Sequence, residues 1–421
     1  MSAALPIPHR QLLAYGALGL PLAMAALPVY VYVPRLYAEV SGMSLSLLGG
    51  LLLLARLADA VIDPLLGGWS DRTAKRQRLI LLALPLLAIG MMALLHPPVI
   101  GAPVWLMGAM LMTYFAFSLA SVSYQAWGAE LGRNAGERTR LTASREGFGL
   151  FGVVLAAALP GLLSSNLAQG LSWLSWIFVP LLFLLAALTL LGAPVAAHRL
   201  PASGKLISDL WRVLGEQPFR RLLTVFVVNG IAAALPATLV LFFVADVLQA
   251  EAWGGAFLAL YFVSGIIFLP LWVTLARRFG RVPAWVGSMA VAVAAFSWAW
   301  ILGPGDVKAF AVICLLSGAA LGADLTLPAA LLADLAESRP TAIGMSSQTG
   351  SYFGWWNLVA KLNLALAAGL SLPLLDLAGY RPGVIEAVTG LSAVYCLLPL
   401  CFKTLAAVLV WRWRETLESS S

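Results

Sequence analysis

Three ionisable residues interrupt an apolar segment that is long enough to cross a membrane. The segment 47–68 is rich in leucine, alanine and glycine, yet it contains Arg56, Asp59 and Asp63. A charged side chain at the centre of a bilayer costs roughly 2.5–3.5 kcal/mol on insertion scales, so such residues usually mark the path of an ion or a substrate. Helical spacing places the two aspartates one turn apart on one face, with Arg56 on the same side.

Two carboxylates this close cannot both stay charged in an apolar medium without a neutralising partner. The sequence offers three partners, namely a hard cation held by oxygen ligands, a proton, or a basic side chain such as Arg56. Pro64 follows Asp63 directly, and a proline inside a helix removes one backbone donor and can free carbonyl oxygens for an ion. A charge network that only joins helices is the structural alternative.

The rest of the chain has the composition of a polytopic membrane protein. Of its residues, 61% are hydrophobic and 11% are charged, whereas soluble domains carry about 25% charged residues. Lipid leaves no backbone group unpaired, so the apolar runs are expected to be helices, and the period-two alternation of a membrane barrel is missing. We predict an all-α fold with about 12 transmembrane helices of about 20 residues or more. The predicted spans are 11–37, 44–68, 79–98, 104–128, 141–164, 173–195, 222–248, 254–276, 283–301, 308–335, 351–376 and 384–410.

The longest polar connection divides these spans into two pseudo-symmetric halves. We predict an N-terminal six-helix bundle at 1–195, a central cytoplasmic loop at 196–221, and a C-terminal six-helix bundle at 222–421. The loop contains the stretch SDLWRVL, which is typical of a short amphipathic helix at a membrane surface. Parallel repeats of this kind place the substrate near the bilayer midplane between the halves.

Lysine and arginine concentrate in alternate loops, which predicts that both termini are cytoplasmic. The net charge of +7 therefore needs no nucleic acid as a partner. The first apolar segment runs on to about Tyr37 without a cleavage site, so we interpret it as a mature helix in a cell membrane, the inner membrane of a bacterium. The basic loop residues are Arg72, Lys75, Arg76, Arg78, Arg133, Arg138, Arg140, Arg199, Lys205, Arg212, Arg220, Arg221, Arg277, Arg278, Arg281 and Arg339.

A glycine, an aspartate and two arginines form a second motif directly after the acidic segment. Gly67, Asp71, Arg72 and Arg76 fit the pattern G-x-x-x-D-R-x-x-R-R, and a similar basic turn follows the eighth span at 275–281. With this motif and two six-span halves, the chain resembles the major facilitator superfamily. An aspartate at this position can cap or pair across helix ends, which predicts a conformational latch.

The spacing of Arg56, Asp59, Asp63, Pro64 and Gly67 resembles the helix-two signature of the glycoside–pentoside–hexuronide:cation symporters, the melibiose permease family. The resemblance extends over nearly the whole chain in the same order. Three further segments carry it, namely Glu130-Leu131 with Glu137-Arg138-Thr139 and Arg145, Tyr352-Phe353-Gly354 with Lys361, and Gly379-Tyr380.

The resemblance implies a coupling-ion site in the first half. Asp59 and Asp63 match the cation-coordinating acids of the family, and they would be the metal ligands if the ion is Na⁺. Ser118 falls where the family places a hydroxyl ligand, and we include Ser121 in the predicted cation site. Arg145 matches a basic residue of the central cavity.

The departures from the family concern the sugar. Pro21 and Ser121 stand where the family has its sugar-binding acids, and Gln125 replaces an aromatic residue. Sugar sites depend on such acceptors and stacking faces, so a disaccharide substrate is doubtful. Ile62 replaces a polar residue beside the cation site, and fewer oxygen ligands argue against tight sodium binding. Because burial also raises the proton affinity of a carboxylate, the replacement mildly favours protons as the coupling ion.

The remaining candidates complete a predicted substrate site. Arg145 and Lys361 would bind an anionic group, with Tyr124 and Gln125 beside them. Asp324 lies within an apolar span, where it either contacts substrate or forms a buried ion pair with Lys361. A sixth candidate is Trp356, whose alternative place is the aromatic belt at the membrane interface.

These residues predict a secondary active transporter rather than an enzyme. It would couple symport of a small organic solute, a sugar derivative or an anion, to H⁺ or Na⁺ by alternating access. The alternatives are transport of a lysolipid or other amphiphile, and an uncoupled scramblase or receptor. An aspartyl protease needs its two acids on facing helices, and His9, His96 and His198 are isolated. We therefore expect no catalytic residue, no cofactor beyond the coupling ion, and a monomer in the lipid bilayer.

Overall fold

All regular secondary structure in the described residues is helical. The computed structural model describes residues 7–41, 45–73, 75–164, 166–194, 206–337, 348–377 and 388–418. The helices of the first half are α1 (His9–Gly16), α2 (Gly19–Ser41), α3 (Leu45–Asp71), α4 (Arg76–Leu95), α5 (Ala102–Leu131), α6 (Ala135–Leu163), α7 (Leu167–Gly192) and α8 (Leu206–Gly215). The later helices are α9 (Gln217–Phe242), α10 (Gly254–Phe279), α11 (Arg281–Ala299), α12 (Val307–Glu337), α13 (Thr349–Leu377), α14 (Val388–Ser392), α15 (Leu398–Arg412) and α16 (Arg414–Glu418).

The predicted all-α membrane architecture is confirmed. Within the described ranges, 10 helical segments are long and apolar enough to cross a membrane. Two more helices, α3 and α13, have 27 and 29 residues. At a rise of 1.5 Å per residue, each is longer than the thickness of a hydrocarbon core, which is about 30 Å. These two and the 10 make up the dozen long segments expected. The predicted pair Gly379-Tyr380, the start of the last predicted span and much of the central loop lie outside the described residues.

The first predicted span is not one helix. It ends as α1 at Gly16 and resumes as α2 at Gly19. The hydroxyl of Thr189 on α7 donates to the carbonyl of Ala14 at 2.7 Å and accepts from the backbone N–H of Leu18 at 3.0 Å. A side chain that inserts into the backbone hydrogen-bond ladder in this way bends or interrupts a helix. Gly16 and Gly19 flank the break, but Thr189, whose side chain occupies it, is remote in the chain.

The chain forms two compact units. Unit 1 comprises Met1–Val213 together with Ala336–Leu358, and unit 2 comprises Leu214–Leu335 together with Val359–Ser421. The first turns of α13 therefore cluster with unit 1. The division into two six-helix bundles joined by a loop at 196–221 stays a prediction.

Each unit has its own apolar core. In unit 1, the rings of Tyr15 and Tyr124 pack in a tilted arrangement with centroids 4.8 Å apart among buried leucines of α2, α4, α5 and α7. In unit 2, Phe243 stacks on Tyr395 at 4.2 Å. Both rings belong to π-helical turns, Phe243–Val247 and Ala393–Leu397, and such turns widen a helix locally.

Candidate functional site

Asp59 and Ser118, two residues of the predicted cation site, meet inside unit 1. The Ser118 hydroxyl of α5 donates to Oδ1 of Asp59 on α3 at 3.0 Å. Asp59 is 3% exposed and Asp63 is 0% exposed. Two buried carboxylates one turn apart and a neighbouring hydroxyl supply oxygen ligands, which suit a hard cation or a proton.

Two further residues surround this pair. Tyr114, one turn before Ser118 on α5, lies within electrostatic range of Arg56 and of Asp59. The helix α3 continues through Pro64, so the proline does not break it. These contacts give the acidic site a basic and a phenolic neighbour.

The N-terminal turns of α13 pack closely against α3. A Cβ atom on Gly354 would lie 2.7 Å from the carbonyl oxygen of Asp63, and one on Gly67 would lie 2.2 Å from that of Gly350. Small residues permit such close approach between membrane helices. Gly67, which was predicted to belong to the latch, is therefore required because α3 and α13 pack too closely at this position for a larger residue.

Asp71 caps α13. Its carboxylate accepts from the backbone N–H groups of Gly350 at 2.6 Å and Ser351 at 2.8 Å, and from the Ser351 hydroxyl at 2.6 Å. Arg76 donates to the same carboxylate at 2.9 Å and to Glu130 at 2.8 Å. A carboxylate at a helix N-terminus satisfies the free N–H groups and complements the helix dipole.

The helix α8 extends this arrangement. Arg72 donates to Asp209 of α8 at 2.7 Å, and the indole of Trp355 on α13 donates to the carbonyl of Leu210 at 3.2 Å. The buried face of α8 includes Leu210 and Val213, whereas Trp211 is 65% exposed. The predicted amphipathic helix thus exists, and it packs on the turn that carries the motif.

The polar residues of the predicted substrate site in unit 1 are held by different partners. Gln125 donates to the Ser121 hydroxyl at 3.0 Å, and its buried Oε1 has no hydrogen-bond partner among the described residues. The Tyr124 hydroxyl donates to the backbone carbonyl of Tyr15, and the Tyr15 hydroxyl donates to the backbone carbonyl of Tyr124 at 3.2 Å. Tyr124 therefore joins α1 to α5.

Arg145 forms an ion pair on its own helix. Its guanidinium donates to Glu146 at 2.5 Å and lies within electrostatic range of Tyr15 and Tyr124. The residue is 9% exposed, so its side chain is buried. Its charge is thus partly balanced by an adjacent acid.

In unit 2, Asp324 forms its ion pair with Lys403 of α15, not with Lys361. Its other carboxylate oxygen accepts from the indole of Trp285 at 2.8 Å and from the amide of Asn229 at 3.3 Å. The alternative pairing considered from the sequence is therefore wrong. Lys403 was missed, although a lone lysine in the apolar span 384–410 carries the same signal that identified Asp59.

The two remaining candidates lie on α13. Trp356 is 7% exposed and belongs to unit 1. Lys361 belongs to unit 2 and is partly exposed. Trp356 is therefore packed in the interior rather than in an exposed aromatic belt.

Solved structures of transporters share this fold. A bacterial homologue of the iron transporter ferroportin in an outward-facing state superposes with a TM-score of 0.70 at 17% identity, covering 96% of this chain and 99% of that chain. The E. coli fucose:proton symporter superposes with a TM-score of 0.69 at 14% identity, covering 94% of this chain and 97% of that chain. At these identities the likeness shows the fold alone.

Two sequence comparisons extend over nearly the whole chain. A protein of Salmonella typhimurium strain LT2, named a putative 2,3-dihydroxypropane-1-sulfonate exporter, is 25% identical over 94% of this chain and 90% of its own length. The sequence model of the family described as "MFS/sugar transport protein" matches residues 12–415. The chain is thus an integral membrane transporter of a small molecule rather than an enzyme, and it belongs to the MFS/sugar transport protein family.

Proposed function

We propose that this transporter couples the movement of a small organic anion to a proton by alternating access. The observation that supports the coupling is the buried pair of Asp59 and Ser118, with Asp63 one turn away. A buried carboxylate beside a hydroxyl binds a proton or Na⁺, and ion binding there would favour the conformation that also binds the substrate. Sodium is the alternative coupling ion that the experiment distinguishes.

The substrate class rests on basic side chains and on the relative from Salmonella. Arg145 and Lys361 supply positive charge, and Gln125 has an unused amide oxygen that accepts a hydroxyl hydrogen bond. The relative's name specifies a hydroxylated sulfonate, whose anionic group suits arginine and lysine. The direction of net transport depends on the gradients of substrate and coupling ion across the membrane.

The contacts of Asp71 support a latch. A carboxylate that caps α13 and binds Arg76 holds α3, α4 and the start of α13 together, and releasing α13 would break several charge-assisted hydrogen bonds at once. Replacing Asp71 by Asn should therefore slow transport while substrate binding persists, as measured by uptake rate and by equilibrium binding. Full uptake by that variant would argue against the latch.

The same proposal places the protein as a monomer in the inner membrane of a bacterium with both termini in the cytoplasm. The alternation of basic loops supports this orientation. Cysteine accessibility at each terminus in intact cells tests it.

The coupling is tested by uptake into proteoliposomes. Labelled 2,3-dihydroxypropane-1-sulfonate is supplied with an inward proton gradient, with an inward sodium gradient, and with neither, using the wild type, Asp59→Asn and the exposed control Glu251→Gln. We expect accumulation above equilibrium only with the proton gradient, its loss in Asp59→Asn, and no change in the control. Accumulation driven by sodium alone would identify Na⁺ as the ion, and accumulation by Asp59→Asn would contradict the proposal.

A further inference from the structure

A buried ion pair in unit 2 lies apart from the predicted cation site. Lys403 of α15 donates to one oxygen of Asp324, and Trp285 of α11 and Asn229 of α9 donate to the other at 2.8 and 3.3 Å. Four helices therefore converge on one carboxylate. We call Asn229, Trp285, Asp324 and Lys403 the unit 2 cluster.

The cluster lies at membrane depth and remains partly accessible. Asp324 is close to the middle of α12, which runs from Val307 to Glu337. The side chains of Lys403 and Asp324 keep 10% and 12% of their surface exposed. A buried ion pair is often no more stabilising than apolar residues of the same size, so its presence at this depth favours a functional role.

The cluster has hydrogen-bonding capacity that the protein does not use. An ammonium has three N–H donors, and among the described residues Asp324 is the one acceptor that Lys403 has. A carboxylate only accepts, so the amide nitrogen of Asn229 faces Asp324 and its Oδ1 points elsewhere. That oxygen is buried without a hydrogen-bond partner in the described part of the chain.

The unused N–H donors of Lys403 and the unused Oδ1 acceptor of Asn229 define the chemical groups that a ligand needs. The ligand must offer an anionic acceptor to Lys403 and a hydroxyl donor to Asn229. An anion next to the charged carboxylate of Asp324 would be repelled, unless that carboxylate is protonated.

We propose that the unit 2 cluster binds a hydroxylated organic anion, whose acidic group replaces Asp324 on Lys403 while Asp324 takes up a proton from solvent. Lys403 keeps its own proton throughout. Anion and proton enter together, so the charge of the cluster does not change. Trp285 continues to donate to the carboxyl group. This inference rests on the proposed function, to which it adds a binding site for the anion at Lys403.

Among the described residues, two ionisable side chains from other helices lie near Asp324. Lys403 comes from α15, and the phenol of Tyr261 on α10 lies within electrostatic range. The neighbours from α9 and α11, Asn229 and Trp285, do not titrate in the accessible range. The proton taken up with the anion is therefore assigned to Asp324.

The ligand class is tested with three matched probes on purified full-length protein. Isethionate has a sulfonate and a hydroxyl, ethanesulfonate lacks the hydroxyl, and ethylene glycol lacks the anion. We expect the affinity to fall in that order, with roughly a tenfold step when the charge-assisted contact is lost. Isethionate should bind more tightly in mildly acidic than in mildly alkaline buffer, with about one proton taken up per anion. Absence of saturable isethionate binding, or binding without proton uptake, would overturn the proposal.

Variants separate this role from a structural one. Asp324→Asn keeps a hydrogen-bonding group but needs no proton, so it should bind isethionate at both pH values with the acidic-buffer affinity of the wild type and without proton uptake. Lys403→Gln should lose binding, Lys403→Arg should retain it, and the exposed Lys308→Gln should match the wild type. If Asp324→Asn keeps the pH dependence, or Lys403→Gln keeps the affinity in a folded protein, the proposal is wrong.

The outcomes also separate this inference from the proposed coupling. Anion selectivity and proton uptake on binding depend on Asp324 and Lys403, whereas accumulation against a gradient requires Asp59 as well. Normal anion binding combined with accumulation by Asp59→Asn would refute the coupling site alone. Loss of accumulation in Asp59→Asn, combined with isethionate binding by Lys403→Gln, would refute the unit 2 cluster alone.

Discussion

Two buried carboxylate sites, one in each unit, are built in different ways. In unit 1, Asp59 and Asp63 follow each other along α3, and α5 contributes a neutral hydroxyl to Asp59. In unit 2, a single acid, Asp324, accepts from the ammonium of Lys403. A pair of acids on one helix face attracts positive charge, whereas in the proposed unit 2 site the lysine exchanges its carboxylate partner for an anion. The difference suggests a division of labour between ion coupling and substrate binding.

The two motif turns differ in a parallel way. In unit 1 the acid lies at the turn, where Asp71 caps α13. In unit 2 the turn carries the arginine, and Arg281 reaches Asp334 of α12 and the carbonyl of Ala330. Gly280 separates α10 from α11 with a φ of 96°, a conformation that favours glycine. Similar basic sequences thus secure different helices in the two units.

The largest expected effect concerns the acid pair of unit 1. Asp63→Asn removes a carboxylate from the completely buried end of the pair, so a cation or proton no longer binds there as a counter-charge. We expect accumulation of substrate to fall to the equilibrium level while exchange of labelled for unlabelled substrate continues. Uptake and counterflow in proteoliposomes measure both. If Asp63→Asn accumulates substrate to the wild-type level, the acid pair of unit 1 does not couple the ion, and the contrast with the substrate site of unit 2 is lost.

The next effect concerns the ion pair of unit 2. Lys403→Met leaves the buried carboxylate of Asp324 without its cation, which costs about 3–5 kcal/mol of stability when a buried pair is broken. The double variant Asp324→Asn with Lys403→Met should recover most of that loss. Thermal unfolding of the purified variants in detergent, analysed as a double-mutant cycle, measures the coupling. A single variant as stable as the wild type would contradict the pairing.

A smaller effect is expected from the indole donor in the same cluster. Trp285→Phe retains a large ring but removes the hydrogen bond to Asp324, and a bond to a charged acceptor contributes about 1.5–3 kcal/mol. Unfolding should therefore occur at lower temperature than in the wild type. The control Trp298→Phe replaces an exposed indole and should have little effect. Equal stability of the two variants would show that the indole packs without supporting the carboxylate.

The smallest effect is expected at the hydroxyl of unit 1. Ser118→Ala removes one hydrogen bond to Asp59. When a proton neutralises the carboxyl group, that bond contributes about 1 kcal/mol, which corresponds to roughly a fivefold change in affinity for the coupling ion. The ion concentration for half-maximal uptake should rise by that factor. The control Ser297→Ala lies on an exposed face of α11. An unchanged value in Ser118→Ala would place the ion on the acids alone.

Much of the site in unit 1 follows from the sequence, because its parts are close along the chain. The residues Arg56, Asp59 and Asp63 belong to one helix, and helical periodicity alone puts them on one side. The dozen long apolar segments follow from the same kind of local information, since lipid leaves helices as the structure that satisfies the backbone. Most helix ends were predicted within about three residues for the same reason, whereas α6 and α7 begin six residues before the predicted 141 and 173.

Tertiary structure decided what depends on contacts between distant segments. Thr189 of α7 splits the first predicted span, and the lysine that pairs with Asp324 is Lys403 rather than Lys361. Partners that are tens of residues apart meet only through helix packing, which is set by the whole core rather than by any local pattern. The sequence by itself determined that buried charges exist and on which helices, and only the packed structure decided which charges meet.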